Sequence, residues 1–509
     1  VPKKALTAGA LAAAAAGLAA IAAPAACRRP SAPAVVLISL DTLRRDRLNC
    51  YGYQARKLSP NIDALAADSV VFDSAVAAAP WTTPSHMTLL TSLVPSSHGI
   101  MTPFTRLLQD LRNGTVERLP EARTTLAEAL ASRGFATAAF TGGVTLDPAI
   151  GFAQGFSRYD VSMFKVRDEG MAAMKEWVTA QDGRPFFLFW HTFETHAPYL
   201  DTSFVREVAP EEVAREVEAA LDELGRHFGR GPVPPEPMAR LQALQTHHHA
   251  LSNALYDGGV RSADRRVGEL LQFLRAKGRY DRTLIVLTSD HGEELWDRGE
   301  SGVFGVHGHS LYEEMVGVPL LVKLPGQSGR GTRVAPPAPA VDVMPTVLDV
   351  LGIPRATAPQ MEGRSLRPMW EGREPAVRLA FTEALAFDSE QKSVRTDRYK
   401  YVVEVPAPEV ERHGRRFLPE KADARLYDLR GDPGEKTNLL AAGPLPAGAP
   451  RPSAGSSAPP PAPDGSPGSL AQALDDRLRR YVVQHFGSAE TATLPADTIE
   501  KLKALGYVR

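Results

Sequence analysis

At 509 residues the chain has room for one large domain and a smaller one, and 43% hydrophobic with 23% charged residues excludes a wholly disordered or fibrous protein. Its 58 Lys and Arg against 59 Asp and Glu leave a formal charge of -1, too small a field to collect nucleic acid or anionic lipid, so the expected partner is a small molecule. Two cysteines, Cys27 and Cys50, make neither a disulfide scaffold nor a thiolate metal site, so a metal must be held by Asp, Glu, His or Thr.

The chain opens with Lys3 and Lys4, an Ala/Leu-rich run and small residues up to Cys27, the layout of a secretory signal over 1–26. Ala25-Ala26-Cys27 also resembles a bacterial lipobox, with Pro24 where an aliphatic residue is usual. The expected location is therefore the periplasm or, through a lipid on Cys27, the membrane surface. Apolar runs bounded by turn residues follow: AVVLISL at 34–40, ATAAF at 136–140, PFFLFWH at 185–191, TLIVLTS at 283–289 and VPLLVKL at 318–324. Each reads as a strand buried on both faces. Helical patterns lie between them, including 124–134 and 264–278, the latter closed by Gly278. This alternation predicts an α/β domain over 34–375 with a mainly parallel central sheet. From about 376 short strand-like runs and polar turns predict a smaller α+β subdomain over 376–509. Within it, 441–470 has nine Pro, five Gly and five Ser and reads as a flexible linker, before a helical pattern expected to dock back.

Three of the buried runs lead straight into polar clusters: Asp41-Thr42 after the first, His191-Thr-Phe-Glu194-Thr-His196 after the third, and Asp290-His291-Gly292-Glu293 after the fourth. Ligands of open α/β sheets bind at the carboxyl ends of the strands, so three such clusters point to one shared site. A fourth piece, Pro80-Trp81-Thr82-Thr83-Pro84-Ser85-His86, starts a helical pattern. A hydroxyl there faces the free N–H groups of a helix start, where a phosphoryl or sulfuryl anion is stabilised, although Thr82 or Thr83 as a simple cap is, taken alone, the better explanation.

The ordered blocks LISLDTLRRDRLNCYGY, APWTTPSHMTLLTS, HTFETHAPY, LTSDHGEEL, HGHSLYEEMVGVPLLVKLPG, VRTDRYKY and LYDLRGDPGEKTNL resemble the sulfatase family of the alkaline phosphatase superfamily from about 34 to 440. The resemblance implies an alkaline-phosphatase-like sandwich with a C-terminal subdomain, and a metal-bound nucleophile that attacks sulfur or phosphorus. Sulfatases proper carry Cys or Ser in Cys/Ser-x-Pro-x-Arg and convert it to formylglycine; here the stretch is Thr82-Thr83-Pro84-Ser85-His86, so no formylglycine is expected and His86 stands in the arginine position. These departures resemble the threonine branches of the superfamily. Metal coordination is one way to activate an alcohol, and Asp41, Thr82, Asp290 and His291 are the expected ligands of one divalent ion. One imidazole among oxygens favours zinc or manganese, with calcium or magnesium as alternatives.

His196, His309 and His86 are the candidates to bind the remaining ester oxygens or protonate the leaving group, and His309 is preferred to His307. Glu194 is read as joining His196 in a second metal site or as a supporting carboxylate, and Glu293 and Glu294 as orienting ligands. His98 is read as a buttress, His247-His248-His249 as a solvated helix surface, and Cys50 as packed. The expected activity is metal-dependent hydrolysis of a sulfuric or phosphoric ester of a small molecule, glycan or lipid headgroup. A phosphoethanolamine or phosphoglycerol transferase and a non-catalytic anion-binding relative are the alternatives.

Overall fold

The computed structural model describes residues 34–163, 168–181, 183–227, 234–298, 304–373, 378–415, 417–419, 423–441, 466–485 and 487–494. The expected signal, Cys27 and most of the linker lie outside these residues. Eight strands form the central sheet: β1 (Val35–Leu40), β2 (Val70–Phe72), β3 (Ala136–Phe140), β4 (Arg158–Asp160), β5 (Phe186–Thr192), β6 (Leu284–Thr288), β7 (Leu320–Lys323) and β8 (Arg333–Val334). Their order is β8-β2-β7-β6-β1-β5-β3-β4, and only β7 runs antiparallel to its two neighbours.

The continuous apolar character of the strands follows from cover on both faces. Along β1, Val35 and Leu37 join Phe187 and Phe189 of β5 in one core cluster, while Val36, Ile38 and Leu40 join Leu188 and Trp190 in the other. Helices α1 (Pro60–Ala67) and α3 (Ala250–Ala276) fill the second cluster, and α2 (Thr82–Thr91) and α4 (Val343–Val350) the first. Among the described residues no helix is long and apolar enough to cross a membrane.

A four-stranded antiparallel sheet follows in the order β9 (Ala380–Thr382), β10 (Glu390–Arg395), β11 (Tyr399–Val405) and β12 (Asp423–Asp428). The tail helix α5 (Pro467–Gln484) docks on it through Leu470, Leu474 and Leu478 against Val394, Val403 and Leu426, and Tyr481 stacks on Phe381 at 4.1 Å. One expectation needs correction: the histidine tract is no uniform helix surface. The helix Pro235–His247 stops within it and His248 and His249 make the turn into α3; His247 and His249 are exposed as expected of a solvated surface, with the His249 ring stacked on Trp296 at 4.1 Å.

Candidate active site

The central strands β6, β1 and β5 lie side by side and end together, which brings Asp290, Asp41 and His191 to one edge. Thr42 turns the chain at once with φ +59, a left-handed conformation that costs a non-glycine residue about 1–2 kcal/mol. Its surroundings hold it there: the Thr42 hydroxyl donates to Thr195 O, its carbonyl accepts from Tyr256 Oη at 2.7 Å, and its N–H reaches Asp290 Oδ1 at 3.3 Å. Gly292 follows the Asp290-His291 pair because a Cβ there would collide with the Glu314 carbonyl.

Every residue of α2 is buried, and Trp81, with no side-chain capping bond, occupies the N-cap position. Thr83 donates to Thr145 O at 2.9 Å, so neither threonine is a cap. The Thr82 hydroxyl instead stands 3.4 Å from Asp41 Oδ2 and 3.4 Å from His291 Nε2. His291 Nε2 lies 3.3 Å from Asp290 Oδ2 and 3.9 Å from Asp41 Oδ1. The four side chains named from the sequence as metal ligands are thus neighbours, and three of them, Asp41, Asp290 and His291, converge closely enough to share one ion.

The donor chemistry fits such an ion. Gly292 O can only accept, so the His291 proton sits on Nδ1, 2.9 Å away, and Nε2 turns a lone pair toward the carboxylates. Asp290 Oδ2 is fully buried and receives no hydrogen bond. Burial, and then the charge of Asp41, push Asp290 up to about 7, while burial holds His291 well below the usual imidazole value. Lone pairs and carboxylates that face one another are stabilised by a divalent cation between them.

The remaining histidines divide in two. On the strand side, His86 packs against Phe189 and His191, with Nε2 2.9 Å from Ser39 Oγ and Nδ1 3.0 Å from Thr82 O and 3.4 Å from Asp290 Oδ2. It faces the sheet and is fully buried, so the expected contact with ester oxygens is not available to it. Burial takes its imidazole down to about 4 and that of His191 to about 3, which keeps both neutral.

Elsewhere, His307 packs its ring 4.4 Å from His291 and 5.1 Å from His196. Burial opposes its charge, but Glu293 Oε1, 2.9 Å from Nδ1, outweighs that and raises its pKa; Tyr199 Oη donates to the other Glu293 oxygen at 2.8 Å. His196 Nδ1 is held by Ala197 O at 2.6 Å. His309, preferred from the sequence, is about a third exposed, with Nε2 3.8 Å from Glu294 Oε2. Glu194 accepts from Ser262 Oγ at 3.0 Å, and among the described residues it belongs to no group with converging metal donors. His98 braces α2, with Nε2 3.2 Å from Pro84 O and 3.3 Å from Thr88 Oγ1. His191 and His307 receive no role from the sequence: the first is named only as part of a strand-end cluster, and the second differs from the preferred His309 by no local signal.

A sulfatase family model matches residues 33–353, and a model described as N-sulphoglucosamine sulphohydrolase, C-terminal, matches 299–444. The chain belongs to the sulfatase family, whose members are hydrolases acting on ester bonds. It is 28% identical over 296 residues to the multifunctional alkaline phosphatase superfamily protein PehA of Trinickia caryophylli, covering 52% of this chain and 53% of that protein, so the match spans about half the length of that relative. With human arylsulfatase A it shares 25% identity over 488 residues, 83% of this chain and 86% of the relative. The phosphonate monoester hydrolase of Agrobacterium radiobacter has the same fold, with a TM-score of 0.60, 22% identity and cover of 91% of this chain and 97% of that one.

Proposed function

We propose that this chain hydrolyses a sulfuric or phosphoric ester by in-line attack of the Thr82 hydroxyl. The observation that carries the reading is the place of Thr82 Oγ1, 3.4 Å from both Asp41 and His291 at the start of a buried helix. Asp41, Asp290, His291 and Thr82 would hold one divalent ion, zinc or manganese ahead of calcium or magnesium because of the imidazole. When bound, that ion lowers the pKa of the Thr82 hydroxyl, a weak nucleophile by itself at neutral pH.

The chain's own groups supply the rest. First-turn N–H groups of α2 face a tetrahedral anion set beside Thr82. His307 keeps Nδ1 on Glu293, which leaves Nε2 to give a proton to the departing oxygen. Oγ1, its proton given to solvent when the hydroxyl is activated, bonds to sulfur or phosphorus as the bond to that oxygen breaks, and leaves as the same deprotonated oxygen when the ester is resolved. Water then resolves the covalent ester, and its proton returns to His307. His196, and His309 at the margin, remain for the other ester oxygens.

The sulfatase relatives support a sulfate ester. Threonine cannot become formylglycine, and together with the likeness to PehA and to a phosphonate monoester hydrolase it supports esters of phosphorus. The test is a rate assay of the zinc- or manganese-loaded chain on an aryl sulfate, an aryl phosphate monoester and an aryl phosphodiester. Thr82→Ala is expected to lose at least about 10⁴-fold on the preferred ester. Turnover that survives Thr82→Ala overturns the assignment of the nucleophile. Export goes with this reading: mass spectrometry is expected to find a mature chain without residues 1–26, an acyl group on Cys27 then separating a membrane-anchored form from a free periplasmic one, and a chain that keeps residues 1–26 refutes both.

A further inference from the structure

Beneath the carboxylates lies a polar patch in a layer that is otherwise apolar. Ser39 of β1 and His191 of β5 are direct partners in register, on the face where Val35, Leu37, Phe187 and Phe189 build the core. His86 of α2 completes the patch, its ring 4.7 Å from that of His191 at 89°. All three residues are fully buried. Apolar side chains of similar size would pack there without any polar group to satisfy, so the polarity acts on something nearby.

Proton positions follow from the acceptors. His86 Nδ1 faces Thr82 O, which can only accept, so the proton is on Nδ1 and Nε2 accepts from Ser39 Oγ. His191 Nε2 lies 3.0 Å from Asp41 Oδ2, an ionised acceptor, so its proton is on Nε2. His86, His191 and Asp290 are also close enough to hold a cation of their own; His86 Nδ1 keeps its proton on Thr82 O, so such a cation would have to rely on His191 Nδ1, which has no hydrogen-bond partner, and on Asp290. Asp41 therefore gives Oδ2 to His191 and turns Oδ1 toward His291 Nε2.

We propose that His191 is a positioning residue: its Nε2–H fixes which oxygen of Asp41 faces the metal, while His86 braces the Thr82 carbonyl from the same patch. The proposal rests on the reading of Asp41, Asp290 and His291 as one cation site. Partners of this kind, outside the ligands themselves, typically change metal affinity by 10–100-fold when removed.

The experiment measures the dissociation constant and stoichiometry of zinc and of manganese for the full chain, by competition with a chromophoric chelator. It compares wild type, His191→Phe and His191→Gln. Phenylalanine keeps the bulk and removes the donor, whereas the glutamine amide carries an N–H to nearly the same point. The expected result is one ion per chain in all three, affinity weakened on the order of 10–100-fold in His191→Phe, and part of that loss recovered in His191→Gln. A side chain that only fills space gives the opposite pattern: His191→Phe keeps wild-type affinity and His191→Gln shows only a lower unfolding temperature. That outcome overturns the proposal, as do two ions in wild type with one lost in His191→Phe, which makes His191 a ligand. Wild type that binds no divalent ion overturns the site reading as well. The count of zero, one or two ions separates the two failures, and the wild-type count needs no variant to fold.

Discussion

Two groups of buried carboxylates stand in sharp contrast. Around Glu313 each acid meets a permanent cation: Arg45 at 2.6 Å, Arg395 at 3.5 Å and Lys400 at 3.4 Å, with Glu435 2.9 Å from Lys400. Burial opposes the Glu313 charge, but Arg395, Lys400 and Arg45 outweigh it and hold the carboxyl far below its ordinary value. Around Asp290 stand a second carboxylate, Asp41, and the imidazoles of His86 and His291 that burial holds neutral; burial and then Asp41 push the carboxyl up to about 7, with His307 only partly offsetting them. One cluster carries its own permanent counter-charges and joins the two sheets; the other sets two carboxylates against imidazoles, a weaker and titratable counter-charge. A buried acid is thus a structural part or a binding site according to what the chain places beside it.

Substitutions test this contrast from its strongest effect down. Glu313→Gln strands Arg45, Arg395 and part of Lys400 without their carboxylate, and should lower stability by about 3–5 kcal/mol in urea unfolding, with or without metal. If metal affinity falls while stability holds, the two clusters are not separate.

Asp290→Asn should act in the opposite direction. Removing one of two facing charges is expected to raise the stability of the metal-free chain by ~1–3 kcal/mol, while added zinc or manganese stabilises only wild type. A metal-free variant less stable than wild type would mean that hydrogen bonds to Asp290 outweigh the repulsion.

The smallest effect is a pair of opposite pH slopes in the metal-free chain. Asp290 has a folded pKa of about 7 against an ordinary 3.8, so its contribution is complete below the lower value and is lost as pH rises through about 7. Glu313 is depressed from an ordinary 4.5, so its contribution is complete above that value and is lost as pH falls. Melting temperatures across this range should show the Asp290 slope vanish in Asp290→Asn and on metal binding. A slope that persists in both places its source elsewhere.

Much of this architecture is legible in the chain. The five apolar runs are strands within two residues of their expected ends, since a strand covered on both faces needs an unbroken apolar run. Asp41, Asp290 and His291 could be expected to meet because neighbouring parallel strands end at one edge, whereas Thr82, at a helix start, is joined to them only by the resemblance to the sulfatase family. His191 is visible as part of a strand-end cluster but is given no role, because it closes a run in which Phe187 and Phe189 face the same way, and nothing local tells a buried imidazole's task.

His307 and His309 show the other limit. They flank Gly308, whose φ of +84 and close approach to Ala386 set the path of the chain, and the hydrogen bond from Ala386 N to Gly308 O comes from the subdomain. Which histidine meets His291 is decided by that contact across nearly eighty positions of sequence. The sequence by itself determined the strand layout and the polar clusters at the strand ends, because these follow from periodicity, whereas the place of Thr82 beside them is an expectation from the resemblance to the sulfatase family. Only the tertiary structure decided which nitrogen faces which oxygen, because tautomers and side-chain directions are set by neighbours that are distant along the chain.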